Sequence, residues 1–147
     1  MHIRKIVIRH EDADDVLQNT FIKVWRYLKD FKQNSKIYTW LFRIATNEAL
    51  TFINQKKKKA EESFDNYEQY LSNTLESDEY FTGDQTQLIL QKAILTLPEK
   101  QRIVFNMRYF DEMKYDEMSE ILETSTGALK ASYHHAVKKI EDFLKTV

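Results

Sequence analysis

The chain has 147 residues, 42% of them apolar and 31% charged, enough to form one ordinary core or two small ones. Only two glycines and one proline occur, and this scarcity of turn-forming residues favours long helices over a sheet-rich fold. The absence of cysteine excludes disulfides and thiolate metal sites. No apolar run approaches the roughly 20 residues that span a bilayer, and no signal peptide opens the chain, so we expect a cytoplasmic protein without membrane insertion.

Charge is distributed unevenly along the chain, although the net charge is only −1. Residues 1–60 carry a net charge of +7, residues 61–97 a net charge of −7 and residues 98–147 a net charge of −1. This pattern indicates two folded pieces around a solvated connector. The predicted units are a first domain at 1–60, an acidic linker at 61–85 and a second domain at 86–147.

The first long helix is predicted over residues 13–28, after residues 3–9, which could be the last turns of an earlier helix. Its apolar residues recur at three- and four-residue spacing, which predicts a wide buried face. They are Ala13, Val16, Leu17, Thr20, Phe21, Val24, Trp25 and Leu28. The four carboxylates at residues 11–15 lie where the helix dipole favours negative charge.

A second helix is predicted over residues 38–54, and aromatic and cationic side chains alternate through it and the polar loop before it. Aromatic faces stack on unpaired bases and cations follow phosphates, so the combination suits a surface that holds one DNA strand. Trp40 stands at core spacing, however, and the lysines at 56–59 also fit a solvated helix end. The pattern alone leaves packing and DNA contact open.

The last fifty residues predict a helix that starts near Pro98, a short helix at 115–122, a turn at 123–127 and a final helix to about residue 144. Thr124 or Ser125 can cap that final helix. A short helix, a tight turn and a longer helix form the arrangement that places a second helix in the major groove. Spacing alone is equally satisfied by two packed helices in an all-α domain.

Four segments follow one another in a recognisable order. They are the stretch DADDVLQNTFIKVW at 12–25, residues 31–47 with TWLFRIATN, residues 97–105 with LPEKQRIVF, and the final helix-turn-helix. Together they resemble the extracytoplasmic-function (ECF) sigma factors of bacterial RNA polymerase. In that family such segments are the clamp-docking helix, the loop and helix for the minus-ten element, the opening of the second domain and the reader of the minus-thirty-five element.

The resemblance implies an all-α chain of two small helical domains joined by an acidic linker. Its partners would be the clamp and flap of core RNA polymerase, promoter DNA and an anti-sigma factor. The implied polymerase-docking residues are Asp14, Asp15, Gln18 and Phe21. The implied minus-ten residues are Asn34, Ser35, Lys36, Tyr38, Thr39, Arg43, Asn47, Lys56 and Lys57. The implied minus-thirty-five residues are Thr126, Ala128, Lys130, Ala131, Ser132, His134, His135 and Lys138.

The sequence departs from the family pattern in three places. About ten residues precede the DADD motif where the family has a further helix, which predicts either a start further upstream or a first domain short of part of its core. Ser132 and His135 stand where the family often has two arginines, which puts strong phosphate anchoring there in doubt. Glu123 occupies a turn position where glycine is common, which predicts a slightly different turn.

Two other classes of protein compete with this interpretation. A helix-turn-helix regulator that acts without replacing sigma would explain residues 98–147 and leave 12–25 as plain core. An enzyme would use the carboxylates at 11–15 or His134 and His135 to bind a metal. Adjacent histidines on a helix point about 100° apart, which suits one metal poorly. Since no nucleophile triad or glycine-rich phosphate loop is evident, we expect no enzyme activity, cofactor, metal or small-molecule substrate.

Overall fold

The structure is a computed structural model that describes residues 2–31, 36–63, 73–76 and 83–147, with the backbone alone at 60–63. No strand occurs in these ranges, and the all-α class is confirmed. The helices are α1 (His2–Val7), α2 (His10–Tyr27), α3 (Ile37–Ser63), α4 (Gln85–Leu95), α5 (Glu99–Tyr109), α6 (Tyr115–Leu122) and α7 (Thr126–Lys145). A 3-10 turn, Leu28–Asp30, follows α2, and residues 73–76 are also helical.

The predicted helices are present, but several of their ends differ from the prediction. The short helix α6 has the predicted bounds, and α1 confirms the helical interpretation for residues 3–7 but not for residues 8 and 9, which lie outside it. Helix α2 begins three residues early, and α3 continues nine residues past its predicted end at 54. The lysines, alanine and glutamates at 56–62 are strong helix formers, so charge alone was a poor signal for the end of α3.

The six-residue helix α1 supplies core in spite of its length. His2, Ile3, Ile6 and Val7 are all buried. The helix ends at Val7, and the φ of 70° at the next residue, Ile8, lies in the left-handed region that a β-branched residue rarely adopts. The residues before the DADD motif therefore complete a buried helix in the first part of the chain.

One hydrophobic cluster joins the first three helices to the second half of the chain. Ile6, Val16 and Ile53 pack in the same cluster as Met107 and Ile121. A second cluster, between α4, α5 and α7, holds the end of the chain together. The charge pattern predicted two folded pieces and carried no sign of this contact between them. The boundaries 1–60, 61–85 and 86–147 stay a prediction.

The turn of the helix-turn-helix places Glu123 in the left-handed region, with φ 52° and ψ 42°. The glutamate thus adopts a conformation that glycine adopts freely and other L residues adopt at a cost of about 1 kcal/mol or more. We expect Glu123→Gly to exceed Glu123→Ala in free energy of unfolding by about 0.5 kcal/mol, measured by urea denaturation. A glycine variant less stable than the alanine variant would contradict this backbone conformation.

Ser125 is the N-cap of α7, one of the two predicted caps. Its Oγ accepts a hydrogen bond from the Ala128 N–H at 3.2 Å, whereas the Thr124 hydroxyl donates to the Leu122 carbonyl at 3.0 Å. Loss of such a cap costs about 1 kcal/mol. We expect Ser125→Ala to lower the free energy of unfolding by about that amount. Ser125→Asp keeps a hydrogen-bond acceptor at the cap and should unfold with a free energy close to that of the wild type. Thermal melts of the two variants and the wild type measure the difference.

Candidate polymerase and nucleic-acid interfaces

The four predicted docking residues lie on one exposed side of α2. Successive helical residues turn by about 100°, which brings Asp14, Gln18 and Phe21 close to one line, with Asp15 at its edge. All four are exposed, and Phe21 is 63% exposed. Trp25 continues this line and is 85% exposed. The opposite side of α2 is buried in the fold through Ala13, Val16 and Thr20.

The sequence prediction of a buried face at Phe21, Trp25 and Leu28 was wrong, because all three side chains are exposed. The apolar arc of α2 is wider than the arc that α1 and α3 cover. Ile22 is exposed as well, so four large exposed apolar side chains occur between the last turns of α2 and the start of the 3-10 turn. A patch of this kind is typical of a protein-binding surface. We name these four residues, Phe21, Ile22, Trp25 and Leu28, the α2 patch.

The predicted minus-ten residues divide between two sides of α3. Lys36 precedes the helix, and the spacing of Thr39, Arg43 and Asn47 places all four on one side. Tyr38 and Lys56 lie on a different side. Asn34 and Ser35 lie outside the described residues. We name the side formed by Lys36, Thr39, Arg43 and Asn47 the α3 reading face.

Helix α6 packs against the α3 reading face. The Arg43 Nε donates a hydrogen bond to the Glu120 carbonyl oxygen at 3.0 Å, and its Nη2 donates to the same oxygen. Lys36 Nζ lies 3.9 Å from Glu117 Oε1. Thr39 is only 2% exposed, whereas Asn47 is exposed. Two of the four predicted contacts with DNA are therefore engaged by the helix-turn-helix, and a third is buried.

Aromatic residues flank the same end of α3. The Tyr38 ring lies 4.6 Å from the Phe42 ring, and the Phe31 ring lies 5.1 Å from Trp40. Trp40 is half-buried, which fits the packing role that its spacing suggested. Burial raises the pKa of Tyr38, and the nearby carboxylates of Asp111 and Glu117 raise it further. The Tyr38 hydroxyl thus lies within the electrostatic reach of the second half of the chain.

The two lysines predicted at the far end of α3 differ in environment. Lys57 is exposed, while Lys56 is half-buried with its Nζ 5.7 Å from the Phe52 ring centroid. Lys56 is also close enough to Asp12 to oppose the rise that burial causes in the pKa of that carboxyl. Lys57 is therefore the more accessible of the two for a phosphate.

The outward side of α7 carries four of the predicted minus-thirty-five residues. Ala131, His134, His135 and Lys138 are exposed, as are Ala128 and Lys130. The opposite side is buried through Leu129, Ala136 and Ile140. Thr126 is half-buried, and Ser132 turns towards a cavity beside α3. Most of this predicted set is thus accessible, and Ser132 lies off the outward side.

A cluster of cations around Tyr115 was missed by the sequence analysis. The Arg108 guanidinium lies 4.7 Å and Lys130 Nζ 5.7 Å from the Tyr115 ring centroid. With Lys114, Thr126 and the acidic residue Asp116, these residues line a pocket of about 310 Å³ beside the first turn of α7. Cations next to a helix N-terminus suit a phosphate. No sequence periodicity connects residues 108 and 130, so only the fold brings them together.

Two of the carboxylates considered as metal ligands, Glu11 and Asp14, have ion-pair partners within the fold. His10 Nε2 lies 3.4 Å from Asp14 Oδ2, and Arg9 Nη2 lies 3.6 Å from Glu11 Oε2. Among the described residues, no group of three or more His, Asp or Glu side chains is arranged to hold a metal ion. Over the same ranges, no helix combines the length and apolar character needed to cross a membrane.

Comparisons with known proteins match this arrangement along most of the chain. The family model for sigma-70 region 2 matches residues 2–59, and that for sigma-70 region 4 matches residues 87–140. The ECF RNA polymerase sigma factor SigW of Bacillus subtilis is 30% identical over 144 residues, which cover 91% of this chain and 76% of SigW. The chain belongs to the ECF family of RNA polymerase sigma factors. The ECF sigma-E factor of Escherichia coli K12 is 27% identical over 139 residues, or 89% of this sigma factor and 73% of the relative.

Two solved structures share the fold of this sigma factor. One is the sigma factor RpoE in complex with the anti-sigma factor NepR from Bartonella quintana, with a TM-score of 0.71 and 23% identity. That match covers 98% of this chain and 88% of RpoE. The other is CnrH in complex with the cytosolic domain of CnrY, with a TM-score of 0.68, 22% identity, and coverage of 99% of this chain and 79% of CnrH.

Proposed function

We propose that this sigma factor binds core RNA polymerase through α2 and directs transcription initiation at promoters read by α3 and α7. The observation that carries the proposal is the α2 patch, whose side chains are exposed while Ala13, Val16 and Thr20 of the same helix are buried. A regulator that binds DNA alone has no use for an exposed Trp25 at that position. The patch, rimmed by Asp14, Asp15 and Gln18, has the apolar centre and polar rim of a protein interface.

Each of the two predicted DNA surfaces would contact a different promoter element. The α3 reading face, with Asn34, Ser35 and Tyr38, would hold flipped bases of the minus-ten element. The outward side of α7 would contact base edges of the minus-thirty-five element, with Lys130 and Lys138 on phosphates. The Tyr115 cluster supports this orientation, since its cations would hold a phosphate beside the first turn of α7. Core polymerase would supply much of the electrostatic affinity that a chain of net charge −1 lacks.

The remaining assignments follow from the same function. Residues 1–60 would serve the clamp and the minus-ten element, residues 61–85 would link the domains, and residues 86–147 would serve the flap and the minus-thirty-five element. The protein would act in the cytoplasm with polymerase and would need no catalytic residues, cofactor or small-molecule substrate. The complex of RpoE with the anti-sigma factor NepR supports an anti-sigma factor as a further partner.

In-vitro transcription with sigma-free core polymerase on sheared genomic DNA tests the proposal. We expect transcripts from discrete start sites only when this chain is added, with shared motifs upstream of the starts. A variant with Phe21→Ala and Trp25→Ala lacks the two large aromatic side chains of the α2 patch and should give few such starts. If the wild-type chain binds specific duplex DNA without polymerase and gives no discrete starts, it is a regulator that does not replace sigma.

A further inference from the structure

A partly open cavity lies between α3 and the last three helices of the chain. Its volume of about 530 Å³ falls within the range of about 300–1,000 Å³ that is typical of small-molecule sites. Helix α3 forms one wall, and residues of α5, α6 and α7 form the others. We name this space the α3–α7 cavity. Its apolar lining consists of Leu50, Ile103, Val104, Leu122, Ala128 and Leu129.

The floor of the α3–α7 cavity is the surface of the first hydrophobic cluster. Ile103, Val104 and Leu129 are buried members of that cluster and also line the cavity. Leu50 and Leu122 are partly buried against the same cluster. Aliphatic side chains offer dispersion contacts but no hydrogen bonds, and cavities lined by them bind apolar molecules. The floor therefore suits the apolar body of a ligand.

Two small side chains of α7 leave room for this cavity. Ala128 and Ser132 are four residues apart, so they lie on the same side of the helix, and both line the cavity. Larger side chains at these positions would occupy the space between α7 and Leu50 of α3, because protein interiors are otherwise closely packed. The cavity thus follows from the residue types on one side of a regular helix.

The mouth of the α3–α7 cavity is polar but has no net charge. Asn54 and Lys100 are exposed there, and Glu99 and Ser132 are half-buried. Glu99 and Lys100 carry opposite charges, so a charged ligand gains little net attraction from them, and it is costly to place a charge on the aliphatic floor. The Asn54 amide and the Ser132 hydroxyl can each donate and accept hydrogen bonds. The mouth therefore suits one uncharged hydrogen-bonding group.

We propose that the α3–α7 cavity binds a small uncharged amphipathic molecule. Its apolar body would pack on Ile103 and Leu129, and its hydrogen-bonding end would lie at Asn54 and Ser132. Ser132 and Ala128 also belong to the predicted minus-thirty-five set, so the bound molecule would lie against the helix that is proposed to read that element. Binding at this site requires neither polymerase nor DNA. Its test is therefore separate from the test of the proposed function.

Fluorescence titration of the whole free chain with N-phenyl-1-naphthylamine tests the site. This uncharged aromatic amine emits strongly only in apolar surroundings, and we expect saturable binding of one molecule per chain. Ala128→Phe adds a ring at the cavity wall and should weaken binding of the probe about tenfold or more. The matched control is Ala131→Phe, the same substitution at an exposed position of α7 outside the cavity, and it should keep the wild-type affinity. Equal affinities for the two variants, or no saturable binding to the wild type, would overturn the site.

A second pair of variants tests the opposite wall. Leu50→Trp enlarges a lining side chain of α3, whereas Thr51→Trp adds the same ring at the exposed neighbouring position outside the cavity. We expect only Leu50→Trp to weaken binding of the probe, by about tenfold or more. Circular dichroism identifies a variant that fails to fold, and the pair on the other helix then decides the outcome.

The α2 patch also exposes large apolar side chains, so it provides a further control for the probe. The variant with Phe21→Ala and Trp25→Ala should bind N-phenyl-1-naphthylamine with wild-type affinity, because neither residue lines the α3–α7 cavity. Loss of binding in this variant would show that the probe binds the α2 patch, and the proposed site would be overturned.

Competition between three eight-carbon molecules tests the chemical class of the ligand. At pH 7, 1-octanol is uncharged, octanoate is an anion and octylammonium is a cation, while the alkyl chain is the same in all three. We expect 1-octanol to displace the probe at a concentration about fivefold or more below that of either ion, because only the ions lose their hydration at the apolar floor. Stronger displacement by octanoate or octylammonium would overturn the proposal of an uncharged ligand.

Discussion

Phe21→Ala combined with Trp25→Ala is expected to weaken binding to core RNA polymerase by about 30-fold or more. Large aromatic anchors at the centre of an interface commonly contribute about 2 kcal/mol each, and 2 kcal/mol corresponds to about 30-fold in affinity. Both side chains are mostly exposed in the free chain, at 63% and 85%. Their removal should therefore leave the free energy of unfolding nearly unchanged, so a loss of affinity would report the interface and not the fold.

Tyr27→Ala provides a matched control for the double variant. Tyr27 is an exposed aromatic in the last turn of α2, but it lies about 160° around the helix from Trp25. Fluorescence anisotropy titration with core polymerase should give wild-type affinity for Tyr27→Ala and reduced affinity for the double variant. Gln18→Ala should also weaken binding to core polymerase. Equal effects at Tyr27 and Trp25 would remove the case for docking through the α2 patch.

Lys130→Ala combined with His134→Ala is expected to lower promoter-directed initiation by about tenfold or more, with core binding unchanged. Lys130 is part of the Tyr115 cluster, and His134 lies exposed on the outward side of α7, where it can reach base edges. A good base contact discriminates by about 1–3 kcal/mol, and 1.4 kcal/mol is about tenfold. The two substitutions should thus act on promoter choice and not on assembly with polymerase.

Runoff transcription and core-binding titration, made on the same preparations, separate these two effects. Lys145→Ala removes a lysine from the last turn of the same helix and should initiate normally. A parallel loss of initiation and of core binding in the α7 variant would show that Lys130 and His134 serve the polymerase contact. Loss of initiation in the Lys145→Ala control would indicate that initiation depends on the total positive charge of α7 and not on Lys130 and His134 in particular.

Local features of the fold could be read from the amino-acid sequence. The bounds of α6 follow from its apolar spacing and the polar turn at 123–127, and Ser125 was one of two predicted caps for α7. The end of α3 could not be read in the same way, because the residues after Asn54 are polar yet strong helix formers. The docking and outward α7 residues were predicted from resemblance, and most of them prove accessible. The Tyr115 cluster was missed because its members are far apart in the chain.

By itself, the sequence determined the helical class, the order of the helices, the family and the residue types that each surface presents. These properties depend on neighbours within a few residues, and the spacing of apolar and polar side chains records such neighbours directly. Only the tertiary structure decided which apolar side of α2 is buried, that both halves share one core, and that Arg43 contacts the Glu120 carbonyl. These outcomes depend on which distant helix packs against which side of a given helix. The periodic spacing of apolar residues does not identify that packing partner.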